Sequence, residues 1–502
     1  MNQRKLGILI TYFNILLQTI TGFIYVPMLL NYIGKNEYGL YQLIGSFIAY
    51  LSVMDFGMSV VVVSFYSKYK TMHDKVNMEN ILAIALRAYA VITIALFILG
   101  YGFYICIPDI FAKSMSMGEI SSAQNLLALL LFNIVITIST MMFRAVINAY
   151  ERYFFLKGLE TIQLVMQPVL VVLVLQSLPS ALAVAGVQTI LNIILIVARI
   201  YYCFEKLHIK IRYHFWDKEM FTSFKKLSLS VFAVSIIDQV FFKTNQVILG
   251  IVSGTVAVAV YSIASTIYIN YMTLSTAISG VYLPYVTELI AKNEPMSKLT
   301  DLFIRIGRLQ YFLLALVASG FIIFGRQFIH LWAGESFDEA YVITILIILP
   351  FTIDLIQNIG LSILQAQNRY DFRGKVYFAM GIFNLLVAIP AGLWFGGIGC
   401  AAATGLAMFI GNGLIMNYYY WKVTGLDIIR FWKEIKKISL PIFVLAAIAY
   451  YLNMVIGYHG KVAFFFSILL YILVYMCVIY RYSINSEEKG EILSIIQKYR
   501  NI

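Results

Sequence analysis

The chain has 502 residues, 61% of them hydrophobic and only 12% charged, with a mean hydropathy of +0.83 and a formal net charge of +12. Soluble domains carry about 25% charged residues, so this composition excludes a soluble globular protein. Alternating ten-residue amphipathic segments are absent, which argues against a barrel, and the four cysteines are single and far apart, a spacing that suggests neither a disulfide framework nor a zinc site.

The first apolar run, from Ile8, is too long for a signal peptide and lacks a small-residue cleavage site. It reads as a spanning helix. Apolar stretches long enough to cross a bilayer then recur to the C-terminus, and the pattern predicts fourteen spans. They cover roughly 8–32, 38–66, 79–106, 122–148, 155–177, 181–204, 226–251, 255–287, 308–325, 341–364, 376–394, 397–420, 438–457 and 462–480. With the N-terminus inside, the inner loops hold 29 Lys and Arg residues and the outer loops hold 4, namely Lys35, Lys113, Arg326 and Lys461. That asymmetry places both termini in the cytoplasm by the positive-inside rule. It also assigns most of the positive charge to topology and anionic-lipid contact, against a nucleic-acid partner.

The largest inner loop, Glu205–Lys226, is basic and aromatic with apolar residues at helical spacing, and it predicts an interfacial amphipathic helix. It falls near the middle of the chain, where a linker between two halves would lie. A weak internal repeat supports two halves: AYERY at 149–153 and AQNRY at 366–370 are offset by 217 residues. GLYQLIGSFIAYLSVM at 39–54 and AVYSIASTIYINYMTL at 259–274 are offset by 220, and Pro168 and Pro390 by 222. Six spans separate the copies, so the halves share one orientation, as parallel repeats do. The predicted organisation is a lobe over 1–215, a second over 216–425, and spans 13 and 14 with a cytoplasmic tail over 426–502.

The segment YVPMLLNYIGKNEYGLYQLIGSFIAYLSVMDFGM (25–58) resembles the opening of polysaccharide flippases of the multidrug/oligosaccharidyl-lipid/polysaccharide exporter superfamily. VFFKTNQVILGIVSGTVAVAVYSIAS (240–265), GVYLPYVTEL (280–289) and GGIGCAAATGLAMFIGN (396–412) are similar to the same branch. The resemblance covers the whole chain. It implies an all-α membrane protein of two six-helix lobes around a central cavity, with two further C-terminal helices, in a bacterial plasma membrane. It implies a substrate of undecaprenyl-pyrophosphate-linked oligosaccharide flipped outward, with polysaccharide polymerase machinery as a possible partner. Many relatives carry an acidic residue in the seventh span near the place where this chain has Asn245 and Gln246.

A charge at mid-bilayer costs about 2.5–3.5 kcal/mol on insertion scales unless it is paired or meets water. Arg87, Arg144, Arg199 and Lys243 lie outside both sets of loops. Arg199 is close enough to the inner interface to snorkel. Arg144 lies about one turn from the inner end of its span, as a structural cation or a substrate contact. Asp55 and Arg87 sit at similar depths, ~16 and ~12 Å from the inner ends of consecutive antiparallel spans, which predicts an ion pair between them. That pair is either a structural lock or a cavity pair that meets substrate. Lys243 is the deepest cation, ~25 Å from the inner end of its span. Asp238, five residues earlier, points about 140° away and cannot pair with it directly. Lys243 therefore either faces a cavity, where it would attract a pyrophosphate, or pairs with another span. Asp354 reads as a gate carboxylate, a cation site or half of an ion pair. Candidate substrate contacts are thus Lys243, Arg87 and Arg144; candidate gating or ion-coupling groups are Asp55, Asp238 and Asp354. Tyr261, Tyr268 and Tyr271 lie along one span, as core or as stacking platforms for sugars.

FGGIG at 395–399 follows no strand and precedes no GK[ST], so no nucleotide site is expected, and no cofactor or metal is called for beyond coupling to a proton, sodium or the membrane potential. The leading function is a flippase for lipid-linked repeat units of capsule, exopolysaccharide or O-antigen. An ion-coupled multidrug exporter of the same fold is the alternative, disfavoured by Lys243, Arg87 and two spans beyond the usual twelve. A membrane glycosyltransferase or polymerase would need a sizeable outer loop, and the longest here, 107–121 and 326–340, are short.

Overall fold

The structure, a computed structural model, describes residues 3–216, 218–280, 282–367, 369–456, 461–485 and 488–489. Among these every regular element is helical. The first half runs α1 (Gln3–Ser52), α2 (Met58–Thr71), α3 (Lys75–Phe111), α4 (Met117–Ser139), α5 (Met141–Ala149), α6 (Tyr153–Leu175) and α7 (Ala181–Tyr201). The second runs α8 (Lys218–Ser253), α9 (Thr255–Ser279), α10 (Leu283–Ala291), α11 (Met296–Trp332), α12 (Glu339–Leu355), α13 (Asn358–Ala366) and α14 (Tyr370–Met408). π-helical turns and the short α15 (Asn417–Tyr419) carry α14 to Thr424, and α16 (Ile428–Ile456) and α17 (Lys461–Val478) follow.

Ten of the helical runs are long and apolar enough to cross a membrane, or eleven with the bent pair α12–α13 taken as one span. Phe13–Thr71 and Tyr370–Thr424 are each long enough for two crossings, broken at Gly34 and Gly396. With those divided and α8 included, the helices agree with fourteen spans.

The repeat is written in the element boundaries. α3 and α11 are both 37 residues long, and Lys75 and Met296 stand 221 positions apart. α5 and α13 are both nine residues long, each the second arm of a broken span, 217 positions apart. Gly34 and Gly254, 220 positions apart, both take positive φ (74° and 81°) where a spanning helix ends and the next begins. A side chain there would strain the backbone, so glycine recurs at the matching turn.

By its contacts the chain forms two compact units, residues 1–262 with 392–397 and residues 263–391 with 398–502. In the first, α2, α3 and α5 enclose a core that includes Val62, Tyr66, Leu82, Ala85, Tyr89, Met142 and Val146. α8 joins this unit by packing along α1. In the second, α16 and α17 close on α11 around Phe324, Ile438, Phe464 and Tyr471. Helices in lipid gain little from apolar burial alone, so polar bonds add specificity. Tyr471 donates to Ser319 Oγ at 2.6 Å, Tyr475 to the Phe312 carbonyl at 2.7 Å, and Tyr311 and Ser439 share a bond of 2.7 Å.

The expected amphipathic helix over 205–226 does not form as a separate element: its first half is largely irregular and 218–226 belong to α8. After a π-turn at Tyr202–Lys206, residues 208–216 are irregular, and α8 begins at Lys218. The reason is Asn80, buried on α3. Its Nδ2 donates to the Phe215 carbonyl at 2.9 Å, and its Oδ1 accepts the amides of His214 (3.0 Å) and Phe215 (3.3 Å). One side-chain amide thus satisfies backbone groups that a helix would have paired internally.

Candidate functional site

α8 carries four consecutive polar residues, Lys243, Thr244, Asn245 and Gln246, and the last three are buried. Gln246 accepts from the Ser46 hydroxyl of α1 and donates to Ser262 Oγ at 3.1 Å. Asn245 donates to the Tyr261 hydroxyl at 2.6 Å, and Thr244 shares a hydrogen bond with Tyr50 of α1. Further along, Ser114 donates to the Gly250 carbonyl at 2.8 Å and Thr255 to Glu119 Oε1 at 2.9 Å. Glu119 is held by a capping box with Ser116 at the start of α4. The backbones meet most closely at Gly39, where a Cβ would stand 1.9 Å from the Thr255 carbonyl oxygen. These contacts make a polar seam that binds the beginning of the second repeat to the first. Below it the Phe56 and Phe232 rings meet at 4.7 Å.

Lys243 is the exception on this helix. It is partly exposed and has neither a hydrogen bond nor an ion pair among the described residues. Asp238 is partly buried and has a partner of its own, so the two do not neutralise each other. A partly exposed cation at this depth carries a charge that an anion in a surrounding of low dielectric would complement.

The ion pair expected between Asp55 and Arg87 is not formed. Asp55 accepts the Tyr89 hydroxyl at 3.0 Å and the Ser59 hydroxyl at 3.1 Å. Arg87 is exposed and lies over the Tyr213 ring, 3.8 Å from its centroid. The cause is helical phase: two residues apart on α3, Tyr89 and Arg87 point about 200° apart, so only one can face Asp55. Asp55 itself lies at a break in the second span, where Phe56 and Gly57 take left-handed backbone.

Arg144 of α5 pairs with Glu160 of α6 at 2.8 Å, and Lys157 meets the other oxygen of the same carboxylate at 2.8 Å. Arg199, expected to snorkel, has its Nε buried without a partner. Asp354 pairs with Arg373 of α14 at 3.4 Å, and Arg373 also donates to Asn412 and lies 5.3 Å from the Tyr377 centroid. Tyr261, Tyr268 and Tyr271 are buried, so they serve as core and not as open stacking platforms.

One polar centre stands outside these expectations. Arg308, at the basic end of α11, is buried and bonds Glu488 through Nε and Nη2 (both 2.9 Å), Glu434 at 3.0 Å and the Ser483 carbonyl at 2.8 Å. Sequence gave no signal for it, because a basic residue at the inner end of a span is what topology alone predicts.

A family model described as "Polysaccharide biosynthesis protein" matches residues 6–290. No curated protein matched the sequence. Among solved structures, the lipid II flippase MurJ in an inward closed conformation superposes with a TM-score of 0.73 at 19% identity, over 94% of this chain and 97% of that one. An inward-facing multidrug resistance MATE family transporter of the MOP superfamily gives 0.61 at 12% identity, over 80% and 96%. A MOP superfamily transporter from Pyrococcus furiosus gives 0.55 at 12%, over 84% and 97%. The fold is therefore the one these membrane transporters share, and with more than half of its length matched the chain belongs to the polysaccharide biosynthesis protein family.

Proposed function

We propose that the protein is a flippase that carries undecaprenyl-pyrophosphate-linked oligosaccharide from the inner to the outer leaflet of a bacterial plasma membrane, for capsule, exopolysaccharide or O-antigen assembly. The observation that carries this reading is Lys243, a deep cation without a hydrogen bond or ion pair among the described residues. A lipid-linked pyrophosphate concentrates negative charge on a compact head group, and Lys243 supplies the complementary charge. Family membership and the fold shared with a lipid II flippase support a lipid-linked substrate.

The seam of Ser46, Tyr50, Gln246 and Thr244 acts in this reading as the closed outer side of an alternating-access cycle, with both termini cytoplasmic. Translocation parts α8 from α1, and binding drives the change only by as much as substrate prefers one state over the other. The repeat boundary near 215/216 divides the moving lobes, 1–215 and 216–425, and residues 426–502 ride with the second. Arg87 and Arg144 add positive charge on the inner side; Asp55, Asp238 and Asp354 serve gating or coupling to an ion gradient. Polymerase machinery receives the product. The alternative, ion-coupled drug export, is favoured by the MATE likeness alone.

The test is translocation in proteoliposomes that contain the purified protein. An impermeant glycosidase should reach lipid-linked oligosaccharide initially confined to the other leaflet within the assay time. Export of cationic dyes without oligosaccharide translocation would select the alternative.

A further inference from the structure

α16 opens with four cations in eight residues, Arg430, Lys433, Lys436 and Lys437. Arg430 is spoken for by Asp301 at 2.7 Å, and Lys437 is paired with Glu434 at 2.6 Å. Lys433 and Lys436 are exposed and have no hydrogen bond or ion pair among the described residues. Positions 433, 436, 437 and 440 follow the i, i+3, i+4, i+7 spacing of one helical face, and Phe443 and Val444 extend it. Along that face the chemistry changes abruptly from cationic to apolar: Leu440 and Phe443 are 68% and 69% exposed.

Two grooves flank the face and share both free lysines. One, of about 580 Å³, is lined by Lys433, Lys436, Lys437, Ser439, Leu440 and Phe443 among others. The second, of about 360 Å³, runs over Ile428, Ile429 and Trp432. Trp432 is anchored by its Nε1 to Asn417 Oδ1 at 2.8 Å, which suits an aromatic side chain at the membrane interface.

We propose that this face is a binding site for an anionic glycerophospholipid of the leaflet on the basic-loop side. Lys433 and Lys436 hold the headgroup phosphate, and Leu440 and Phe443 carry the upper acyl chain. Charge complementarity selects this occupant: a zwitterionic lipid leaves the two lysines uncompensated, and a free anion leaves the apolar half of the groove wet. Each cation near an anionic surface contributes roughly a fivefold gain in retention. The site is separate from Lys243 and needs no assumption about what is transported.

The experiment is purification of the full-length protein from a membrane mixture of equal phosphatidylglycerol and phosphatidylethanolamine, followed by native mass spectrometry of the retained lipid. Wild type should retain phosphatidylglycerol selectively. Lys433→Ala/Lys436→Ala should lower that retention by roughly tenfold or more, and Lys433→Arg/Lys436→Arg should restore it. Lys206→Ala/Lys210→Ala, which removes two exposed lysines elsewhere, should leave it unchanged. Inorganic pyrophosphate should not displace the lipid. Equal loss from both alanine pairs, equal retention of the two lipids by wild type, or displacement by pyrophosphate would each overturn the assignment.

Discussion

Gly39 offers the sharpest perturbation of the seam. In Gly39→Ala the new Cβ would stand 1.9 Å from the Thr255 carbonyl oxygen and 3.3 Å from the Ala259 Cβ. The obstacle is backbone, so no rotamer change relieves it. A carbon–oxygen contact settles near 3.3 Å, so α1 and α9 must separate by about 1.4 Å at this point. Overpacking of this kind costs about 1–3 kcal/mol. The Ser46–Gln246 and Tyr50–Thr244 bonds join α1 to α8 just below, and each contributes about 0.6 kcal/mol in a membrane. The closed seam should lose roughly 2–4 kcal/mol, and the parted state should gain from about thirtyfold to several hundredfold in relative population. The assay is the labelling rate of Ser46→Cys by an impermeant maleimide added from outside, with the four native cysteines replaced; this background already lacks the Ser46–Gln246 bond, so the low end of the gain falls to roughly fifteenfold. Gly39→Ala should accelerate labelling by at least tenfold. An unchanged rate in a folded, inserted protein would refute the seam as a gate.

Arg308→Met should be among the most destabilising single changes, because it strands Glu434 and Glu488 beside an apolar side chain. Breaking a buried pair costs about 3–5 kcal/mol, and the partial exposure of both carboxylates puts this case at the lower end; thermal unfolding in detergent checks it, and a wild-type midpoint would contradict it. Either Asp354→Leu or Arg373→Met alone should be worse than both together, since each single variant leaves a buried charge; a double-mutant cycle with no coupling would reject the pair as an energetic unit. Asp338 lies between α11 and α12, where the hydrogen bond from Arg326 and then that from His330 hold its carboxyl below the usual range. A depressed folded value means its contribution is present above the unfolded value of about 3.9 and is lost as pH falls through the folded one. Asp338→Asn should therefore lower thermal stability at neutral pH and converge with wild type at acid pH, so that the gap between the two closes as Asp338 protonates; equal stability at neutral pH, or a gap that does not change with pH, would contradict this.

Much of the architecture was legible because it rests on periodicity. The spans follow hydropathy, and the repeat showed through AYERY and AQNRY because these motifs sit where α5 and α13 end. The depth of Lys243 was also countable along a helix. What sequence could not supply was rotational phase and long-range capture. Asp55 and Arg87 matched in depth, but the turn at Phe56–Gly57 and the phase of Tyr89 decide which side chain arrives. The amphipathic spacing of 205–226 was real, yet Asn80, some 130 residues away in sequence, fastens residues 214 and 215 into irregular backbone. Arg373, in a stretch that hydropathy left in a loop, belongs to α14 and partners Asp354.

The central claim is that Lys243 attracts the pyrophosphate of the transported lipid. The most direct measurement is translocation of lipid-linked oligosaccharide in proteoliposomes by Lys243→Ala and Lys243→Arg, at matched protein content and thermal stability. A compact anion responds to charge more than to the shape of the cation. Lys243→Ala should therefore lose nearly all translocation, and Lys243→Arg should keep a substantial part. Translocation by Lys243→Ala at the wild-type rate would contradict the account.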